Sequence, residues 1–321
     1  MNKYALFVAC TPNFVKHLNA LLNSIEKREL YKGCNLTVYV LHYQVVNINY
    51  LEAIKTAFSF RVIPVEIKRE DVPGGESAGV VEFVKRSRFF YILKYGFDYD
   101  VICLLDCDMF IVSPDFMKLF DLVKGTDNLI GCNEGFKWSS GEYTLNGEPI
   151  ITPPTKLYAM HCSVPIILNL KCWEDVFKYY TNLCFKGKQG VRGIGDIYSW
   201  NVSVYACKKQ RDVIVFPMET MCQVHQTYLH PKTFICVEND YWLTNSGDKV
   251  YSIQGRWNTN INFVEGSYKY VLKKNNGHIW SKIKKGLQKI QKEWYNLNYE
   301  CILKLGDYEP IKPEWDKFKG E

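Results

Sequence analysis

Residues 101–112 read Val-Ile-Cys-Leu-Leu-Asp-Cys-Asp-Met-Phe-Ile-Val. Five apolar residues lead directly into Asp106, and four more follow Asp108. A short, unbroken apolar run of this kind predicts a strand that is buried on both faces, as in a parallel sheet covered by helices. The stretch therefore indicates an α/β protein built around this strand.

The two acidic residues of this stretch indicate a metal site. Side chains alternate along a strand, so Asp106 and Asp108 are expected to project to the same side, about 7 Å apart. Two charged carboxylates in an apolar wall need a partner, and Mg²⁺ or Mn²⁺ fits because these cations prefer oxygen ligands and leave positions open for substrate phosphates. The alternative is a strand end that carries two acids by chance. The triplet Asp98-Tyr99-Asp100, which we interpret as the turn before the strand, shows that such spacing recurs.

Strands and helices alternate along the chain before residue 101. The predicted strands are Tyr4–Ala9, Leu36–His42 and Arg61–Ile67, and the predicted helices cover residues 14–27, 51–58 and 80–95. The strands are rich in β-branched and aromatic residues, whereas the helices carry apolar residues at spacings of three and four. This alternation predicts a doubly wound sheet, mixed but mostly parallel, with helices on both faces.

Ligands bind doubly wound sheets beyond the carboxyl ends of the strands. Cys10, Thr11 and Asn13 follow the first predicted strand, so they are candidates for contacts with a nucleotide base or ribose. For Thr11, capping of the following helix is an equal alternative. Arg88, on the predicted helix before the metal strand, is a candidate phosphate ligand because its guanidinium forks onto two oxygens. A solvated basic face is the alternative for that helix.

The second half of the chain continues the alternation. Predicted strands cover residues 129–133, 164–170 and 213–216, and predicted helices cover 116–123, 173–184 and 197–206. Residues 135–158 are polar and contain an Asn-Gly turn, which predicts a surface hairpin that could serve as an acceptor-side lid. Asp196 follows a Gly-rich loop at 187–195 and either caps a helix or contributes a carboxylate to the site.

The excess positive charge of the chain is local. The net charge is +6, but residues 269–292 hold eight Lys and no acidic residue. Apolar residues at helical spacing alternate with these lysines over 279–294, which predicts a basic amphipathic helix. This helix either contacts an anionic membrane surface or docks on the protein's own core. We therefore divide the chain into a domain at 1–265 and a basic helical extension at 266–321, and we expect no nucleic acid partner because no nucleic-acid-binding fold accompanies the lysines.

Cysteine usage indicates a cytoplasmic protein. Twelve cysteines are scattered, several of them within apolar runs, and no signal peptide or membrane-spanning stretch accompanies them. Reduced core thiols are the expected state of such cysteines. The expected location is the cytoplasm, with peripheral membrane contact if the helix at 279–294 binds lipid.

The order of these segments resembles a GT-A glycosyltransferase. It is most similar to the retaining family that includes glycogenin and bacterial galactosyl- and glucosyltransferases. The likeness covers roughly residues 4–205 and is carried by Ala5–Ile25, Arg88–Val112, His161–Trp173 and Gly195–Asn201. The Asp-x-Asp segment alone is specific. Where the family has Asn, Gly and Gln, this chain has Cys162, Val164 and Ile197.

The resemblance implies a metal-dependent transfer of a hexose from a nucleotide sugar, with UDP as the nucleotide and with retention. Asp106 would contact metal and ribose, Cys107 would lie in the same donor site, and Asp108 would bridge metal and phosphate. Arg88 would neutralise the leaving phosphate and Asp196 would orient the sugar. The third metal ligand of the family is a histidine, for which His278 is the first candidate and His225 the second.

The resemblance also implies Mn²⁺ or Mg²⁺ as cofactor and a glycan, glycolipid or protein as acceptor. Two other classes of protein remain open. A nucleotidyltransferase uses a similar sheet and metal but would release pyrophosphate. A non-catalytic carbohydrate-binding or membrane-surface protein could retain the fold without the activity, and the changed residues at 162, 164 and 197 favour that alternative.

Overall fold

The computed structural model of the chain describes residues 1–45, 47–72, 75–77, 79–133, 143–145, 148–150, 165–186, 196–221, 235–238, 241–244, 246–255 and 277–306. The strands are β1 (Asn2–Cys10), β2 (Cys34–His42), β3 (Arg61–Glu66), β4 (Val101–Asp106), β5 (Met109–Ile111), β6 (Leu129–Asn133), β7 (Tyr143–Leu145), β8 (Glu148–Ile150), β9 (Ile166–Leu168), β10 (Val213–Pro217), β11 (Ile235–Glu238), β12 (Tyr241–Thr244) and β13 (Ser252–Gln254). The helices are α1 (Val15–Lys27), α2 (Ile48–Thr56), α3 (Val80–Tyr95), α4 (Lys118–Asp121), α5 (Leu170–Lys186), α6 (Asp196–Ala206), α7 (Met218–Met221) and α8 (Gly277–Leu305).

A seven-stranded sheet forms the centre of the fold, in the order β10-β6-β9-β4-β1-β2-β3. β1 pairs in parallel with both β2 and β4, β2 pairs in parallel with β3, and β10 pairs in parallel with β6. Only β9 runs antiparallel to both of its neighbours, β4 and β6. The predicted mixed and mostly parallel α/β sheet is therefore confirmed.

Alternate residues of the central strands form two separate cores. On one face, Val8 and Leu105 pack in a cluster with residues of α1, α2 and α8. On the other face, Phe7 and Leu104 pack in a cluster with residues of α3, α5 and α6. Burial of both faces explains why the central strands are apolar throughout, since a strand with one solvated face would alternate.

The prediction of one continuous strand over 101–112 is wrong. β4 ends at Asp106, the next two residues form a turn, and β5 pairs antiparallel with β13 in a separate two-stranded sheet. The apolar run is interrupted by two acids, and that interruption allows the chain to leave one sheet and join another. All residues of both short strands except the terminal Asp106 are buried, so the apolar pattern indicated burial correctly but not the break.

The C-terminal helix α8 docks against α1 through its second half. Ile290, Trp294 and Leu297 are each 1% exposed. The amide of Asn19 donates to Asn298 at 3.3 Å, and Arg28 pairs with Glu293 at 3.3 Å. A lipid-facing stripe through Ile290 and Trp294 is therefore wrong, and docking on the protein's own core is the alternative that the structure supports there. No helix in the described part of the chain has a stretch long and apolar enough to cross a membrane.

Several smaller predictions shift at their ends. The predicted strand at 164–170 is observed as β9, and Leu170 already begins α5. The predicted helix at 116–123 is a 3-10 turn at Pro114–Met117 followed by the four-residue α4. Within 135–158, β7 and β8 form the expected antiparallel hairpin, and the remaining residues of that segment lie outside the described part. The eight cysteines whose side chains the structure describes are free thiols.

Candidate functional site

The candidate site lies at the carboxyl edge of the sheet, between β1 and β4. From β1 the chain builds β2 and β3 on one side, and it then crosses by α3 to place β4 on the other side. This reversal of strand order opens the crevice in which doubly wound sheets bind their ligands. In the register of the two strands Ala9 is the partner of Asp106, so the segment after β1 and the acidic turn after β4 border the same crevice.

Arg88 of α3 holds the first aspartate in place. Its guanidinium lies 2.5 Å from Asp106 Oδ1 and also donates to the backbone oxygen of Lys85 at 3.0 Å. Arg88 is only 2% exposed, which makes this a buried ion pair. The alternative of a solvated basic face is therefore wrong for this residue. Because Arg88 acts here through Asp106, we describe it as a positioning residue.

The two aspartates converge on a third side chain, that of Gln254. The amide nitrogen Nε2 of Gln254 donates to Asp106 Oδ2 at 2.8 Å and to Asp108 Oδ1 at 3.1 Å. One oxygen of each carboxylate therefore faces the same point in space. The predicted same-side orientation holds, but a turn produces it and not the alternation of a strand.

Cys107 lies between the aspartates in sequence but points into the core. Its Sγ donates to the backbone oxygen of Phe14 at 3.5 Å, and the residue is buried. Burial raises the pKa of the Cys107 thiol well above its ordinary value, and the adjacent Cys10 and the two carboxylates act in the same direction. The residue stays a neutral thiol, so its side chain is no ligand for a hard cation.

The residues after β1 differ in accessibility. Cys10 is buried, and its backbone oxygen accepts from the amide of Tyr43 at 2.9 Å. Thr11 is partly exposed and Asn13 is exposed. Thr11 is the N-cap residue of the 3-10 turn at Pro12–Phe14, as predicted, and its backbone oxygen accepts from the amide of Phe14 at 2.8 Å. Its side chain makes no capping hydrogen bond. Thr11 and Asn13 therefore present their side chains at the edge of the crevice.

The remaining predicted site residues cannot be placed relative to the aspartates, since their side chains lie outside the described part of the chain. Asp196 is the first residue of α6 and His278 the second residue of α8, and their side chains lie outside the described part, as does the whole of His225. Among the described residues, no three His, Cys, Asp or Glu side chains converge as a metal-binding group.

Sequence reasoning missed Gln254. The residue lies in an irregular aromatic region, and β13 has only three residues, too few for a periodic signal. Its pairing with β5 brings it to the aspartates across a separation of 146 residues from Asp108. A single β-branched residue, Ile253, between two polar ones is the local sign of a strand there.

His42, at the carboxyl end of β2, gives the site edge a dependence on pH. Burial lowers the pKa of His42 below its ordinary value of 6.5, and the charge of Glu66 opposes that shift only in part. A lowered pKa in the folded protein means that protonation favours the unfolded chain. The contribution of neutral His42 to the free energy of unfolding is complete above about pH 6.5. It is lost as the pH falls from there toward the pKa that His42 has in the folded protein.

We therefore expect the free energy of unfolding to fall between pH 7.5 and 5.5 with a slope of at most about 1.4 kcal/mol per pH unit from this group. The His42→Gln variant should show a shallower slope in urea titrations at the same pH values. Equal slopes for the variant and the wild-type protein would contradict the assignment.

Comparison with known proteins shows the fold. No protein-family model matches the sequence, and no curated protein matches it. The galactosyltransferase LgtC, solved with donor and acceptor sugar analogs, matches with a TM-score of 0.53 and 15% identity over 87% of this chain and 99% of that chain. The apo form of GlyE from Streptococcus pneumoniae TIGR4 gives a TM-score of 0.51 and 13% identity over 92% of this chain and 64% of that one.

The apo structure of the bifunctional glycosyltransferase WbbM gives a TM-score of 0.53 and 14% identity. The match covers 88% of this chain but 52% of WbbM, so the chain spans about half the length of that protein. At such identities the likeness shows the fold alone. The chain has the GT-A fold of these glycosyltransferases, and the predicted fold class is confirmed.

Proposed function

We propose that the chain is a glycosyltransferase that moves a hexose from a nucleotide sugar, with UDP as the nucleotide, to a glycan, lipid or protein acceptor with retention. The observation that carries the proposal is the convergence of Asp106 and Asp108 at the carboxyl edge of the sheet, beside the crevice where strand order reverses. The GT-A fold supports it, because one structure of that fold was solved with donor and acceptor sugar analogs.

The donor set at this point fits a hard divalent cation. Both aspartates offer carboxylate oxygens, and the amide of Gln254 can offer a third oxygen. Mg²⁺ and Mn²⁺ prefer oxygen ligands, whereas soft metals prefer the thiolate that Cys107 does not supply. A bound Mn²⁺ or Mg²⁺ would neutralise the negative charge that develops on the diphosphate as it leaves the sugar.

The residues of the chain have distinct tasks in this proposal. Arg88 holds the Asp106 carboxylate in one orientation, so the cation site is organised before the donor binds. Thr11 and Asn13, at the end of β1, would contact the base or ribose of the donor. Asp196 would orient the sugar, and Asp108 would face the diphosphate. The bond between the sugar and the diphosphate breaks, and the nucleoside diphosphate leaves. The acceptor oxygen forms the glycosidic bond and gives its proton to the departing diphosphate.

Two further elements belong to the proposal. The hairpin of β7 and β8 would border the acceptor, as the polar composition of its segment suggested. A reducing compartment such as the cytoplasm suits the chain, because eight cysteines in the described ranges are free. Ile290 and Trp294 are buried and would take no part in a membrane contact.

The proposal is tested by titrating the protein with a panel of nucleotide sugars in the presence of Mn²⁺ and in EDTA. We expect a UDP-sugar to bind with Mn²⁺ and at least about tenfold more weakly in EDTA, and to release UDP when an acceptor is present. Release of pyrophosphate would instead identify a nucleotidyltransferase. Binding of glycans without any dependence on nucleotide or metal would identify a non-catalytic carbohydrate-binding protein.

A further inference from the structure

We infer that Gln254 is a third member of the cation site. Its amide bridges Asp106 and Asp108 while no cation is bound, and it turns its carbonyl oxygen toward the cation when one binds. The inference rests on the proposed function, because it deepens the metal site named there. The inference concerns only the side chain of Gln254. It can therefore be disproved while the proposed metal site at Asp106 and Asp108 remains supported.

The position of Gln254 is set by backbone pairing. β13 runs antiparallel to β5, and Gln254 is the register partner of Met109, the residue directly after Asp108. The amide of Gly255 donates to the backbone oxygen of Asp108 at 3.0 Å. Hydrogen bonds of the backbone thus hold Gln254 beside the acidic turn whether or not a cation is bound.

The contacts of the Gln254 side chain mark the place of a cation. Its Nε2 lies 2.8 Å from one carboxylate and 3.1 Å from the other, so a single donor atom serves both. A neutral amide offsets two negative charges only weakly, although Arg88 pairs with Asp106. A divalent cation such as Mg²⁺ between the same two oxygens would approach each to about 2.0–2.1 Å and compensate both charges.

The other end of the same amide points to a second orientation. Gln254 is 4% exposed, and its Oε1 is buried without a hydrogen-bond partner in the described part of the chain. A buried acceptor without a partner is costly to the fold. Rotation of the amide by half a turn exchanges Nε2 and Oε1, so Oε1 would face a bound cation. The orientation that leaves Oε1 unsatisfied is thus the one suited to the cation-free protein.

The ligand atoms at this site also predict which metal it prefers. Two carboxylates and an amide oxygen form an all-oxygen set, which favours Mg²⁺ and Mn²⁺ over Zn²⁺. A nitrogen ligand such as the predicted His278 would shift the preference toward Zn²⁺. Metal preference therefore distinguishes the two candidates for the third ligand.

The experiment measures cation binding directly on the full chain, by calorimetry with Mn²⁺ and with Zn²⁺, for the wild type and four variants, one of which is His278→Ala. Gln254→Leu removes the amide and should weaken Mn²⁺ binding by about 10- to 100-fold. Gln254→His places a nitrogen at the same position and should raise the Zn²⁺ to Mn²⁺ affinity ratio on the order of tenfold or more. Gln291→Leu, a change at a glutamine of α8 that is equally buried at 5% exposed, should leave both affinities unchanged.

The visible spectrum of bound Co²⁺ adds a readout that a purely structural role would not move. The spectrum should change for Gln254→His and remain that of the wild type for Gln291→Leu. Wild-type Mn²⁺ affinity in Gln254→Leu, or an unchanged metal ratio in Gln254→His, would overturn the inference. A loss of Mn²⁺ affinity in His278→Ala, with none in Gln254→Leu, would also overturn the inference. Absence of Mn²⁺ binding by the wild-type protein would instead contradict the proposed metal-dependent function.

Discussion

Replacement of Asp108 by Asn is expected to reduce the rate of sugar transfer by about 10³-fold or more while the protein stays folded. Asn has nearly the same size as Asp, and its side-chain oxygen can still accept the hydrogen bond from Gln254. The substitution removes one of the two charges that face the cation position, however, and with it the ligand proposed to face the diphosphate. The rate should be measured as UDP released per protein with Mn²⁺ at saturation.

Asp98→Asn is a matched control for this prediction. Asp98 and Asp100 have the same spacing as the site aspartates, but they lie just before the amino end of β4 and are exposed. The control should keep wild-type transfer, since the opposite edge of a parallel sheet does not bind the ligand. Full activity of Asp108→Asn, or undiminished activity of the wild type in EDTA, would contradict the proposed function.

Replacement of Trp294 by Ala is expected to lower the free energy of unfolding by about 3–5 kcal/mol. Trp294 is 1% exposed and its ring lies 5.0 Å from the ring of His17 in α1. Removal of the indole would leave a cavity between α8 and the sheet domain, and that interface can collapse only in part. Urea denaturation followed by circular dichroism measures the change.

Leu303→Ala is the control on the same helix. Leu303 is 58% exposed, so its truncation should change the free energy of unfolding by no more than about 0.5 kcal/mol. An interaction of this half of α8 with lipid would give the reverse result: Trp294→Ala would weaken binding to anionic vesicles and leave stability unchanged. That outcome would contradict the docked helix.

The apolar periodicity of the chain was sufficient to predict the layers of the fold. Val101 to Leu105 and Tyr4 to Ala9 are unbroken apolar runs because each of their two faces meets a core, as in parallel sheets that are covered by helices. The same reasoning located most of the helices within a few residues, but α8 continues to Leu305, beyond the predicted end at residue 294. The periodicity could not distinguish a docked from a lipid-bound α8. A helix that packs on the protein core and a helix that lies on a membrane both have an apolar stripe at the same spacing.

Periodicity and composition were sufficient to predict that the central strands are buried and that an acidic pair follows one of them, because both are local properties of the chain. The contacts of that pair depend on segments far apart in sequence. The turn after Asp106, the buried guanidinium of Arg88 and the amide of Gln254 meet because β5 and β13 exchange backbone hydrogen bonds across a long separation in sequence. Such pairing depends on how two strand edges fit together, and a strand of three residues is too short to show a periodic pattern in the sequence. The geometry of the site could therefore not be predicted from the Asp-x-Asp motif.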